Sequence, residues 1–287
     1  MYSSKKLKTI ETVVNTELKQ VSKWLKLNKL SLNADKTQLI FFHSKQHILN
    51  YDGISIKFDG NKLIPVDNIK YLGMYIDKFL SWDYHIQQLS KKLSRANGIL
   101  SKLRHNAPIE TCLQVYYAIF YSHLIYGCNI WGLSTEENLN KIEVLQKKCI
   151  RIMTFSDFNS HTNPLFIDLK LLKVRDIIKT QQLKLVYNFY NNSLPTDLKN
   201  LFVYSSDIHN YDLNSTYKKL LFIPRILTST YGKNSLKYHC AVLWNNMFKK
   251  GITIDIVKNN IKVDDIHNIF QFNRILKKHF LYGYTLD

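Results

Sequence analysis

The sequence is poor in the residues that build linkers, crosslinks and acidic metal sites. Its 287 residues include only 4 cysteines, 5 prolines and 9 glycines. Cys112, Cys128, Cys149 and Cys240 contain no C-x-x-C pair, so neither a zinc ribbon nor a dithiol redox motif is signalled. His239 and Cys240 are adjacent, which is poor spacing for ligating one metal together. Buried free thiols in a reducing compartment are the expectation. Long apolar runs are missing too. The longest, residues 115–121, is far too short to cross a bilayer, and residues 1–11 lack the apolar core of a signal peptide. No membrane partner is expected, and the location expected is intracellular, cytoplasmic or nuclear. There is no G-x-x-x-x-G-K, G-x-G-x-x-G, G-x-S-x-G or H-E-x-x-H, and no zinc-knuckle spacing. No small-molecule substrate is therefore expected. Low-complexity tracts, solenoid repeats and flexible linkers are also absent.

Acidic residues are scarce relative to basic ones. Lys and Arg number 40 against 22 Asp and Glu, giving a net charge of +18 and a field that attracts polyanions. Lys far outnumbers Arg, as an AT-rich genome would produce, so codon composition is the competing source of the charge. The chain is 45% hydrophobic and 13% aromatic, enough to bury a core.

The hydrophobic period divides the chain. Ile10, Val13, Val14, Leu18, Val21, Trp24 and Leu25 recur at helical spacing. Residues 39–42 read as a short buried strand. Ile54, Ile56 and Phe58 alternate with polar residues up to Asp59-Gly60-Asn61, which predicts a hairpin, with residues 69–76 as a third strand. Apolar strands with an unpaired edge here would template further pairing. After Trp82 the pattern is helical. One amphipathic helix carries Ile86, Leu89, Leu93, Ala96, Leu100 and Leu103, with Lys91, Lys92, Arg95 and Lys102 on its other face. Residues 112–121 are apolar nearly all round and predict a central core helix. Ser134 and Glu137 have capping-box spacing before Leu139, Ile142, Leu145, Cys149 and Ile152. Lys141, Lys148 and Arg151 line the outer side of that helix. Further helices are predicted over 171–190 and 235–248.

Three segments carry a resemblance. The first is Trp24-Leu25, followed by Leu30-Ser31-Leu32-Asn33-Ala34-Asp35-Lys36-Thr37 and an apolar strand. The second is Ile69-Lys70-Tyr71-Leu72-Gly73-Met74-Tyr75-Ile76-Asp77, then Leu80-Ser81-Trp82 and His85-Ile86. The third is Tyr126-Gly127-Cys128-Asn129-Ile130-Trp131-Gly132 with Leu145-Gln146-Lys147-Lys148-Cys149-Ile150-Arg151. Ser193-Leu194-Pro195 and Ala241-Val242-Leu243-Trp244-Asn245 add weaker matches. In this order they resemble the reverse transcriptases of non-LTR retrotransposons of the jockey-like or LINE-like kind, over nearly the whole chain.

The resemblance implies an α+β, predominantly α fold. A palm remnant with a small antiparallel sheet would occupy 1–80, a helical thumb-like region 81–155 and a helical C-terminal region 156–287. It implies a primer-grip hairpin in the segment 69–77, with Tyr71, Leu72 and Gly73 at the grip, where glycine permits close approach of a sugar-phosphate backbone. The competing reading is a core strand with a bulge at Gly73. It also implies a thumb whose Lys91, Lys92, Arg95, Lys141, Lys148 and Arg151 track a duplex backbone, against the alternative of a merely solvated charge face.

A complete enzyme of this family uses two divalent metals, Mg2+, held by several carboxylates. Its Asp-Asp hairpin would lie upstream of the helix beginning near Ile10. Neither metal ligands nor a cofactor is therefore expected in this segment, and no polymerase activity from it alone. Lys36 matches a lysine that in a complete enzyme could protonate the leaving pyrophosphate; a surface lysine is the bland alternative. Val263-Asp264-Asp265-Ile266 superficially resembles the catalytic pair. Its position and polar flank predict a solvated turn or helix cap instead. The function expected is the primer–template-holding part of an RNA-directed DNA polymerase. The rival is a structural or protein-interaction module with no nucleic-acid role. Charge concentrated on one helical face favours the first, and evenly spread charge the second.

Overall fold

The computed structural model describes residues 3–4, 6–31, 33, 36–47, 49–208, 220–228, 231–248, 253–256, 259–262, 266 and 268–285. The chain divides into two compact units, Met1–His85 and Ile86–Asp287. The fold is α+β and predominantly α, with small antiparallel hairpins among the helices.

In the first unit, α1 (Leu7–Leu27) lays Leu7, Ile10, Val14, Leu18 and Leu25 on a small core of Phe41, Ile56, Phe58 and Leu63. Trp24, on the same predicted stripe, is instead exposed. β1 (Lys57–Phe58) and β2 (Asn61–Lys62) pair antiparallel through Asp59 (φ 49°) and Gly60 (φ 86°), both left-handed, as a two-residue type I′ turn requires. The outer edge of β1 is not left open. Glu11 Oε1 accepts from Ser55 N at 2.8 Å, Asn15 Oδ1 accepts from Lys57 N at 2.8 Å, and Asn15 Nδ2 donates to Ser55 O at 2.9 Å. The exposed edge expected from sequence is thus capped by side chains of α1. The expected strand at 39–42 reduces to one bridge, Leu39 to Pro65, with Val66 N donating to Leu39 O at 2.8 Å.

Residues 69–76 do not form a single strand. β3 (Asn68–Tyr71) and β4 (Met74–Asp77) are an antiparallel hairpin turning at Leu72 (φ 46°) and Gly73 (φ 81°). This removes the bulged-strand alternative for Gly73. Beyond β4 the buried Asp77 carboxylate organises the exit. It accepts from Phe79 N at 3.0 Å, Ser81 N at 3.1 Å and Trp82 N at 2.8 Å, and so holds Leu80 and Trp82 at positive φ.

The second unit is helical. α2 (Asp83–Leu103) buries Ile86, Leu89, Leu93, Ala96 and Leu100. α3 (Ile109–Val115) runs through a π-helical turn, Tyr116–Tyr121, into α4 (Ser122–Ile125). The wide π turn keeps Cys112, Tyr116, Phe120 and Leu124 on one buried face despite their spacing of four. Tyr117 on the other side is exposed, so this helix is not enclosed all round as the sequence suggested. α5 (Cys128–Trp131) is followed by Gly132, where a Cβ would press on the Cys128 carbonyl and sit 2.7 Å from Ile178 Cγ2. α6 (Glu136–Met153) starts one residue later than the predicted cap: Thr135, not Ser134, is the N-cap and accepts from Asn138 N. α7 (Thr162–Asp168) leads to α8 (Val174–Tyr190), which is the enclosed helix. It packs on α4, α5 and α6 and also on two C-terminal helices, α9 (Leu236–Phe248) and α10 (Ile269–Gly283). Residues 86–155 and 156–287 are therefore parts of one unit.

Several buried polar side chains tie the elements of this unit together. Gln146, fully buried, donates to Tyr116 Oη at 3.0 Å and Leu172 O at 2.9 Å and accepts from Val174 N at 2.9 Å. Tyr284 Oη donates to Asp176 Oδ2 at 2.6 Å and accepts from Lys173 N. Asn245 clamps both backbone groups of Leu221, at 2.9 and 2.8 Å, which explains the Asn of the Trp244-Asn245 pair. The four cysteines are free and buried, and burial pushes Cys128 and Cys240 up to about 12. β5 (Thr253–Ile256) and β6 (Asn259–Lys262) form a hairpin in a region expected to be helical. Asp264 and Asp265 lie outside the described residues; the neighbouring Ile266 is buried and its carbonyl accepts from Tyr187 Oη at 2.9 Å.

Candidate nucleic-acid interface

The hairpin tip is the first element. Tyr71 and Leu72 come together there, 62% and 73% exposed. A type I′ turn favours Asn, Asp or Gly at both central positions. Leucine at φ 46° is a strained choice that solvent does not reward. Tyr75 on β4 anchors the hairpin below the tip. It stacks edge-on to Tyr84 at 5.3 Å, and its N–H donates to His85 Nδ1 at 3.3 Å. The tip is thus an apolar and aromatic projection on a braced base.

The second element is the exposed face of α2. Spacings of three, four and seven put Lys91, Lys92, Arg95 and Lys102 on one side. Among the described residues none of these four cations has a carboxylate partner. Gly98 lies in the middle of that face. It has ordinary helical backbone, and a Cβ built on it meets nothing within 4 Å. Neither conformation nor packing requires glycine there, although glycine costs about 0.5–1 kcal/mol in a helix interior relative to alanine. His123 on α4 is held below the ordinary imidazole range, first by burial and then by the charge of Lys92. Sequence reasoning missed both residues. An interior helical glycine was a readable signal for one, and nothing in the sequence placed His123 near α2.

α6 is different. Lys141 pairs with Glu137 at 2.8 Å and Lys147 with Glu143 at 2.8 Å. Arg151 spends Nε and Nη2 on the Ser160 carbonyl, at 3.0 and 2.9 Å. Lys148 is exposed with no ion pair among the described residues. Arg175 of α8 adds a bridge to Glu136 at 2.6 Å and to Glu143 at 3.1 Å. Lys36 is exposed at the surface of the first unit, in a turn where Asn33 accepts its backbone N–H at 3.1 Å. Among the described residues no group of three or more His, Cys, Asp or Glu side chains could hold a metal ion.

Comparison with known proteins adds what the chain is similar to. Over 160 residues the chain is 28% identical to the RNA-directed DNA polymerase from mobile element jockey of Drosophila funebris, covering 54% of this chain and 17% of that protein. It is 26% identical over 192 residues to the Drosophila melanogaster protein of the same description, covering 64% and 20%. The chain is a relative of the jockey-type RNA-directed DNA polymerases. A probable RNA-directed DNA polymerase from transposon X-element of Drosophila melanogaster is 27% identical over 162 residues, covering 55% of this chain and 17% of the relative. The chain thus spans about a fifth of the length of the jockey-type relatives it matches. The aligned share is smaller than the near-complete coverage expected from the motifs. No family model and no solved structure matches the chain. Among the described residues no helix is long and apolar enough to cross a membrane.

Proposed function

We propose that this chain is the part of a jockey-like reverse transcriptase that holds primer–template nucleic acid, and that it does not polymerise by itself. The carrying observation is the α2 face, where Lys91, Lys92, Arg95 and Lys102, with no carboxylate partner among the described residues, surround a glycine that the fold does not need. A sugar-phosphate backbone lying on Gly98 approaches the helix more closely than any side chain would allow. The flanking cations then neutralise successive phosphates and release counterions. Such contacts hold a duplex in register and read no sequence. Tyr71, Leu72 and Gly73 are the candidate contact to the primer strand, because they form an exposed aromatic and apolar hairpin tip with a glycine that a sugar-phosphate backbone approaches closely. Lys36 is a candidate general acid toward pyrophosphate only in a complete enzyme; in this chain a surface lysine is the simpler reading.

The test is binding of the 287-residue chain to a primer–template duplex across a range of salt. Affinity should fall as salt rises, with a log–log slope of roughly −0.9 per neutralised phosphate. Binding that is undetectable at low salt, or indifferent to salt, would make the protein-interaction module the better reading. With nucleotides and magnesium added, no primer extension is expected. Template-dependent extension that disappears on Asp264→Ala would overturn the second half of the proposal.

A further inference from the structure

α6 ends in a way that its packing does not explain. Ser156 N donates to Arg151 O at 3.1 Å, and Phe155 between them takes φ 54°. That left-handed closing position is glycine's by default. Three other helices here close in the same way, through Lys29, Lys170 and Asn192, all with polar side chains that water accepts. Phe155 is aromatic and 58% exposed, so burial does not repay the conformation.

What surrounds the ring is specific. The Arg104 guanidinium lies over it, 4.5 Å from the centroid, and His105 meets it edge-on at 5.4 Å. Arg104 donates Nη1 to Ile152 O at 3.0 Å and Nε to His105 Nε2 at 3.3 Å, which locks its plane. Nη2 keeps both of its donors among the described residues. Phe155 also borders a cavity of about 250 Å3 walled by Arg104, Ala107, Ile109, Cys112 and Met153. That volume is below the roughly 300–1,000 Å3 of drug-sized pockets and suits one planar ring system. Phe158, in the same loop, is 80% exposed and offers a second ring.

We propose that this end of the second unit is a slot for an unpaired base of single-stranded nucleic acid, separate from the α2 face. Phe155 supplies the stacking surface, the adjoining cavity receives the base, and Arg104 Nη2 donates to a phosphate or base edge. A base paired within a duplex cannot enter, so the ligand is an unpaired strand. The inference rests on the reading of the chain as a nucleic-acid holder, and the test separates the two. The full chain is titrated into a single-stranded oligonucleotide carrying 2-aminopurine and, separately, into a duplex, as wild type, Phe155→Gly and Phe155→Leu. Glycine suits the left-handed position, so Phe155→Gly should fold at least as stably as wild type. Its single-strand affinity should fall about tenfold, the scale of losing one stacked base, with duplex affinity unchanged. Phe155→Leu keeps apolar bulk and should show the same loss. Unchanged single-strand binding, alongside intact duplex binding, overturns the slot alone. Wild type binding neither ligand overturns the slot and the reading beneath it. A variant that dissolves a self-associated form while leaving single-strand binding untouched overturns the slot in favour of a protein contact.

Discussion

α2 and α6 are both long, amphipathic and rich in lysine, and in sequence they look like equal candidates for a phosphate track. Their charges are in different states. On α6, Lys141 and Lys147 are paired with glutamates one turn away, and Arg151 holds the loop at Ser160. On α2, Lys91, Lys92, Arg95 and Lys102 face solvent with no carboxylate partner among the described residues, around a glycine with open space above it. The lesson is that charge composition counts cations, whereas binding depends on the cations that internal pairing leaves available. A paired lysine must give up its glutamate before it can neutralise a phosphate, and an exposed pair is worth little to stability either way.

Two glycines, one with open space above it on α2 and one packed against Ile178 after α5, offer sharp tests. Gly132 serves packing. Gly132→Ala should destabilise the second unit by about 3 kcal/mol, the upper range for forcing a methyl group into a filled site, read by urea unfolding. Gly98→Ala should act with opposite signs in two assays. It should stabilise the fold by about 0.5–1 kcal/mol through helix propensity while weakening duplex binding. A variant that gains stability with no loss of binding would remove the reason for placing a backbone on α2.

The smaller expected effect concerns the paired cluster. Burial works against ionisation of Glu143, but its bonds to Lys147 and Arg175 outweigh this and leave its carboxyl below the ordinary range. A depressed folded pKa gives stability that is present above the unfolded glutamate value and is lost as pH falls through the folded one. Arg175→Met should therefore destabilise the fold at pH 7 by less than about 1 kcal/mol, since the pair is partly exposed. The gap to wild type should narrow on acidification through the range below the usual glutamate value. Chemical denaturation at a series of pH values reads this directly. A gap that widens in acid would mean the cluster is not held as an ion pair.

Much of the fold was legible because helical stripes repeat often enough to be read. α1, α2, α6 and α8 follow from their apolar spacing. What failed was local. Alternation alone reads residues 69–76 as one strand because Leu72 is apolar; the resemblance implied a hairpin in this segment, and the backbone puts its turn at Leu72 and Gly73. The edge of β1 looked open because the residues covering it, Glu11 and Asn15, are polar and distant in sequence. Residues 112–121 were expected to be the enclosed helix, but enclosure depends on neighbours. α8 has them on both sides, and it carries buried Asp176, Thr180 and Gln182 that periodicity discounts. The candidate site was legible as a list of cations and a hairpin. Which cations are already committed, and which glycine is idle, required the three-dimensional arrangement.

The most direct test of this account compares the salt dependence of duplex binding for three proteins: wild type, an α2 triple variant (Lys91→Gln, Lys92→Gln, Arg95→Gln) and an α6 triple variant (Lys141→Gln, Lys147→Gln, Lys148→Gln). Both variants remove the same formal charge. If α2 is the track, its variant flattens the log–log slope by about 2.7, three phosphates at roughly 0.9 each, while the α6 variant flattens it by no more than about 0.9, the share of the one unpaired cation, Lys148. Equal flattening by the two variants would contradict the account, because binding would then follow net charge and not the available face of α2.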